Sequence, residues 1–194
     1  MKEKISQILQ ASIDTKSLIL QDAALLARVD LTIAALCKAL RAGHKILFCG
    51  NGGSAADAQH LAAEFSGRFY TDRHPLPAEA LHCNTSYLTA VANDYGYEHV
   101  YSRLLKGIGK PEDILIGLST SGNSQNIVNA FETAKNMNIQ TIAFTGSKSS
   151  KMSELADLLI NVPSTDTPRI QECHITIGHI VCQMVESELF KDTQ

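Results

Sequence analysis

The stretch KILFCGNGGSAADAQHLAAEF, Lys45–Phe65, changes its pattern twice. Lys45 to Cys49 forms a short, almost continuous apolar run, which suits a parallel strand covered on both faces. A turn built on Gly50, Gly52 and Gly53 follows. The remainder has the composition of a helix, with His60 and Glu64 four residues apart and therefore on one face. The same strand, turn and helix syntax recurs downstream. DILIGLS (Asp113–Ser119), TIAFTG (Thr141–Gly146) and LLINVP (Leu158–Pro163) are further apolar runs, and PAEAL (Pro77–Leu81) is a weaker one. SAADAQHLAAEFSG, SQNIVNAFETAKNMN and the long tail IQECHITIGHIVCQMVESELF read as helices. Together they define an α/β chain with a doubly wound parallel sheet and right-handed crossovers.

Residues 1–42 are helical in pattern throughout, with apolar residues recurring at three and four and Gly43 as a cap. Their apolar stripes can pack on the chain itself or form a bundle with neighbouring chains. A length of 194 residues allows one domain with a full core. At 44% hydrophobic and 19% charged, the composition is that of an ordinary globular protein. The net charge of −3 leaves no basic footprint for nucleic acid. No apolar run approaches the roughly 20 residues needed to span a bilayer, so no membrane association is expected. The polar N-terminus lacks the apolar core of a signal peptide. Five scattered cysteines without CxxC spacing indicate reduced, buried thiols and a cytoplasmic protein.

The segment LSTSGNSQNIVNA places Ser119, Thr120, Ser121 and Ser124 around Gly122, where an apolar run meets a helix. A helix N-terminus offers free N–H groups and positive dipole, and small hydroxyl side chains add donors, so the loop suits a phosphate monoester. It lacks the lysine of a nucleotide-hydrolysing loop. A plain helix cap would account for one hydroxyl, not four. GNGGS does not fit GxGxxG, and no acidic residue ends a second strand about 20 residues on, which argues against a dinucleotide site. Both loops belong at the carboxyl ends of parallel strands, where open α/β sheets bind ligands. His60 with Glu64, and Gln171 with His179, form two pairs at helical spacing. Imidazole, carboxylate and amide oxygen are all possible zinc ligands, while a buried histidine and a surface charge are the structural alternative for either pair.

GNGGSAADAQHLAAEFSGRF, VANDYGYEHVYSR, LSTSGNSQNIVNA and RIQECHITIGHI resemble, in order and spacing, the phosphosugar isomerase (SIS) domain. Within that superfamily the chain is similar to the bacterial sedoheptulose 7-phosphate isomerases, also called phosphoheptose isomerases. The resemblance runs nearly end to end. It implies one SIS domain over 1–194, with a helical pair in 1–43 and an α/β core and final helix in 44–194. It also implies a flavodoxin-like three-layer sandwich, and a homotetramer whose central bundle buries the N-terminal helices. By the same resemblance Asn51, Gly52 and Gly53 contact the sugar, and Ser119, Thr120, Ser121 and Ser124 hold the phosphate. Zinc falls to His60, Glu64, Gln171 and His179, with Glu64 and Gln171 also facing substrate. Asn93 and Asp94 line the sugar site, although Asn-Asp is equally a helix-ending turn. Arg68 and Arg169 are possible contacts that exposed arginines supply cheaply. Pro168 stands where some relatives carry an acid before the arginine of RIQE, with Asp166 two positions earlier, which puts that acid's role in doubt.

The implied reaction is zinc-assisted conversion of sedoheptulose 7-phosphate to D-glycero-D-manno-heptose 7-phosphate through an enediol, the first step toward activated heptose for lipopolysaccharide. Glu64 and His179 are the expected proton-transfer groups, Glu64 serving the carbon-bound proton. Two rivals stand beside it. Some SIS-domain relatives are non-catalytic tetramers that bind the replication initiator DnaA, but they lack the glutamate and second histidine present here. Others act on amino-sugar phosphates and generally lack the zinc set.

Overall fold

The computed structural model describes residues 1–191. Two long helices, α1 (Lys2–Gln21) and α2 (Ala23–Arg41), lead into β1 (Ile46–Gly50) and α3 (Gly53–Ser66). Then come β2 (Ala78–Ala80), α4 (Thr85–Tyr95), a 3₁₀ turn at Tyr97–His99, and α5 (Val100–Ile108). The chain continues through β3 (Ile114–Leu118), α6 (Gln125–Asn136), β4 (Gln140–Thr145), α7 (Lys151–Leu155), β5 (Leu158–Asn161) and α8 (Thr167–Leu189). All strand pairings are parallel, in the order β2-β1-β3-β4-β5. That is the flavodoxin-like order.

The apolar runs explain the layering. Successive strand residues point to opposite faces, and the two faces fill two separate cores. Ile46, Phe48, Ile114, Ile116, Leu118, Ile142, Phe144 and Ile160 pack with α2, α3 and α8. Leu47, Cys49, Leu115 and Ala143 pack with α4, α5, α6 and α7. A strand with only one apolar face would leave one of these helix layers without a partner. The result is the expected three-layer sandwich. All five expected strands form, PAEAL included, each within a residue or two of its apolar run.

Of the cysteines, Cys37, Cys49, Cys173 and Cys182 are buried and free, whereas Cys83 is exposed, which corrects the expectation that all five are buried. Among the described residues no helix is long and apolar enough to cross a membrane. Ile5, Ile8, Leu9 and Ile13 on α1, with Leu26 and Leu31 on α2, remain exposed, so the chain alone does not cover these stripes.

α3 and α8 lie side by side. Gly178 permits this: a methyl group at its Cα would stand 2.7 Å from both Leu61 Cδ atoms. One turn before Gly178 on α8, His174 is fully buried. Its Nε2 lies 3.1 Å from the Thr145 carbonyl oxygen, which only accepts, so Nε2 carries the proton. Its buried Nδ1 has no hydrogen-bond partner among the described residues. Burial pushes the imidazole down to about 4, the Thr145 bond opposing weakly. Because the native pKa lies below that of the unfolded chain, the native state binds fewer protons between pH 6.5 and about 4. Stability is therefore full above pH 6.5 and declines as the pH falls through that window. We expect a loss of about 1.5 kcal/mol between pH 6.5 and pH 5 from this residue. Urea titration of His174→Gln at the two pH values should show that component missing.

Candidate functional site

Doubly wound sheets bind ligands where the strand order reverses, outside the carboxyl ends of the strands. Here that point lies between β1 and β3, which pair along Ile46–Gly50 and Ile114–Leu118. The loops that leave these two strands are GNGGS and STSGNS, so the sheet topology alone brings the two glycine-rich segments together. Between them opens a small hollow of about 160 Å³ lined by Asn51, Ser54, Leu118, Ser119, Thr120, Ser121, Ser124 and Gln171.

The hydroxyls in this hollow form a set. Ser119 Oγ lies 3.1 Å from Ser124 Oγ and 3.4 Å from Ser121 Oγ. Ser119 and Ser121 accept from the backbone N–H groups of Gly122 and Asn123 respectively. Ser124 is the N-cap residue of α6, yet its side chain accepts no capping bond. The cap alone therefore does not account for this serine. Ser124, the N-cap of α6, lines the hollow, so the positive dipole end of that helix stands at its edge, an arrangement that favours an anion.

Asn51 is held rather than free. Its amide exchanges two hydrogen bonds of 2.9 Å with Asn126 of α6, and its Oδ1 also accepts from the Tyr97 hydroxyl at 3.1 Å. The side chain thus ties the β1 turn to α6; Asn51 lines the hollow, and Gly52 and Gly53 do not. Gln171 closes the wall from α8. A Cβ on Gly53 would come within 2.7 Å of Gln171 Nε2, so a larger residue there would displace the amide. Asn93 and Asp94 occupy the last turn of α4, are exposed, and bond to each other at 2.8 Å. They do not line the hollow.

The second half of the site lies between α3 and α8. His60 Nε2 stands 2.9 Å from His179 Nε2 and 3.5 Å from Glu64 Oε1. The two rings meet edge to face, and Phe69 lies against His179 with centroids 5.7 Å apart. A tetrahedral ion bonded at about 2.0–2.1 Å requires its donors to stand about 3.3 Å apart. The 3.5 Å separation is near that value, whereas the 2.9 Å contact is a hydrogen bond between the two rings, so the donors suit zinc in kind but are not arranged around an ion. Among the described residues, no group of three or more His, Cys, Asp or Glu side chains is placed to hold a metal ion. Gln171 lies apart from the histidine contact. Eight residues of helix separate it from His179, a rise of about 12 Å, and its amide sits over Gly53.

Asp57 completes this face, at helical spacing from His60 and Glu64. Burial raises its carboxyl above the usual range, while the nearby His60 and His179 imidazoles pull the other way. The 57-60-64 spacing is a same-face triplet that the sequence itself displays. Tyr97 and Asn126 carry no such signal. Neither arginine enters the hollow. Arg68 is exposed, and Arg169 bonds to the Ile8 carbonyl of α1 and to Glu172. Asp166 caps α8 by position without a side-chain bond, and Pro168 lies in its first turn.

This fold has known counterparts. The family model for the SIS domain matches residues 3–146. A protein named phosphoheptose isomerase from Aneurinibacillus thermoaerophilus is 50% identical over 192 residues, covering 99% of this chain and 97% of that protein. Another of that name, from Sulfurimonas denitrificans, is 49% identical over 99% of this chain and 98% of its own. The structure of phosphoheptose isomerase from Neisseria gonorrhoeae superposes with a TM-score of 0.90 at 39% identity, covering 96% of this chain and 98% of that one. The Francisella tularensis structure gives 0.90 at 34%, covering 95% and 97%. The chain belongs to the phosphoheptose isomerase family of SIS-domain proteins.

Proposed function

We propose that the protein interconverts sedoheptulose 7-phosphate and D-glycero-D-manno-heptose 7-phosphate. The observation that carries this reading is the convergence of His60, Glu64 and His179 from two helices, beside a hydroxyl-lined hollow at the switch point of the sheet. One half of the site suits proton transfer and the other suits a phosphate.

The serines and the α6 N-terminus hold the phosphate, and the β1 turn and Gln171 border the sugar chain. Glu64 takes a proton from C1 of the ketose, generating a cis-enediol, and returns it to C2. His179 accepts the O1 proton and supplies one to O2, so each carbon and oxygen ends with its correct valence. His60, Glu64 and His179, with Gln171 as the fourth candidate, are the residues that would hold zinc. Zinc bound there would polarise the oxygens on C1 and C2 and stabilise developing negative charge. Asn93 and Asp94 would join the sugar contacts from the α4 end.

The proposal extends to a homotetramer, since the uncovered stripes of α1 and α2 are of the kind that oligomer interfaces bury. Its setting is cytoplasmic, in keeping with four free, buried thiols, and its product would feed activated heptose for lipopolysaccharide. The direct test incubates purified protein with sedoheptulose 7-phosphate and follows the anomeric region by NMR, with and without a zinc chelator. We expect product to form and chelation to reduce the rate at least about 100-fold, with added zinc restoring it. Turnover indifferent to chelation removes zinc from the mechanism. Absence of turnover in zinc-loaded protein overturns the isomerase assignment.

A further inference from the structure

Between α3 and β2 the chain runs through Gly67–Pro77 without helix or strand. Such a segment would ordinarily be mobile. Here a single carboxylate gathers it. Glu186 of α8 accepts from the backbone N–H of Phe69 at 3.1 Å, Tyr70 at 2.8 Å and Thr71 at 2.9 Å, and from Arg73 Nε at 3.0 Å. The guanidinium of Arg73 then reaches back to the end of α3. It donates to the carbonyl oxygens of Glu64 at 2.9 Å, Phe65 at 2.7 Å and Gly67 at 3.1 Å. These carbonyls are the negative end of the α3 dipole, where a cation is favoured. Both side chains are essentially buried, at 1% and 5% exposure.

A buried ion pair adds little stability over an apolar pair of similar volume. What it supplies is direction, because each of its bonds has a required angle and partner. The partners here are not scattered. Glu64, held through its carbonyl, carries the carboxylate assigned to the carbon-bound proton. Phe69, held through its N–H, places its ring against His179. Glu186 itself lies seven residues beyond His179, two turns along the same face of α8.

We propose that the Arg73–Glu186 pair is a positioning element for catalysis, fixing Glu64 on α3 and His179 on α8 relative to one another through one buried contact. The proposal rests on the isomerase reading. In that role neither residue touches substrate. Both act through the backbone of α3 and through Phe69.

The test is Glu186→Gln, which keeps shape and removes charge, beside Arg73→Lys, which keeps charge and loses the planar fork that spans the carbonyls. Circular dichroism and thermal melting establish that each variant is folded at the assay temperature. Steady-state kinetics with sedoheptulose 7-phosphate and chelator competition for zinc are then compared with the parent. We expect kcat to fall about 10–100-fold and zinc affinity to weaken by a similar factor. KM should stay within about three-fold, because the serine cradle on the β3–α6 loop is untouched. A purely structural pair would lower the melting temperature and leave kcat per folded protein unchanged, and that result overturns the proposal. If both variants fail to fold, Phe69→Leu, which leaves the pair intact, decides by the same split, an unchanged kcat overturning it. Parent protein without isomerase activity overturns the underlying reading and this proposal with it. An active parent with unaffected variants overturns the proposal alone.

Discussion

Glu64→Gln is expected to lower kcat by roughly 10²–10⁴-fold, the span that general-base catalysis ordinarily contributes. The substitution is nearly isosteric. It leaves an amide oxygen beside His60 Nε2, where the carboxylate oxygen stands 3.5 Å away in the native chain. What it removes is basicity. The sugar phosphate should still bind, because the hydroxyls of Ser119, Thr120, Ser121 and Ser124 belong to the segment between β3 and α6, and Glu64 does not line the hollow. Since Glu64 is also an expected metal ligand, zinc content must be measured alongside. Loss of turnover with zinc retained identifies the base, whereas loss of both identifies a ligand. Near-normal turnover would refute the assignment of Glu64 to the carbon-bound proton.

Ser124→Asp separates two roles that the sequence leaves entangled. Aspartate caps helices as well as serine does, and an acid at that end favours the helix dipole. If Ser124 serves only as a cap, the variant should be at least as stable and fully active. If the hollow receives a phosphate, a carboxylate placed about 3 Å from Ser119 Oγ repels it and displaces a hydrogen bond. Losing one charge-assisted bond and adding a like charge amounts to about 3 kcal/mol, or on the order of 100-fold in KM. The expected outcome is a preserved or raised melting temperature with KM raised by about that factor. An unchanged KM would remove the phosphate from this loop.

The strands were legible because burial on both faces leaves no polar alternation, and a five-residue apolar run such as Ile46–Gly50 is too short for a buried helix. Their order was not legible in detail, since pairing is decided by contacts far apart in the chain. The loops were legible for the same local reason: glycine and hydroxyl residues at the ends of apolar runs mark places where backbone must be approached closely. Between Asn84 and Ile108 two helices form, the first capped by the Asn84 side chain and the second with Val100, Tyr101 and Leu105 at helical spacing, and both pack on the same face of the sheet.

The candidate site divides along the same line. His60 and Glu64 could be placed together from their spacing alone. Gln171 and His179 share a face of α8, but a shared face is not a shared place, and two helical turns keep the amide at the hydroxyl-lined hollow. The amide exchange between Asn51 and Asn126, and the grip of Glu186 on the segment at Phe69–Arg73, join residues 75 and more than 110 positions apart. No periodicity encodes such pairs. They follow only once the sheet has set which helices meet.

α3 and α8 stand on one face of the sheet, and α6 stands on the other. A molecule held by the start of α6 and worked on between α3 and α8 must straddle the crest of the strands, anchored on one slope and transformed on the other. Five paired strands join the two slopes, so under the proposed function the sheet sets the span between anchor and reaction point. On the proposed function the scaffold would thereby act as a gauge for carbon-chain length, a shorter sugar phosphate seating its anionic end and leaving its carbonyl short of the imidazoles.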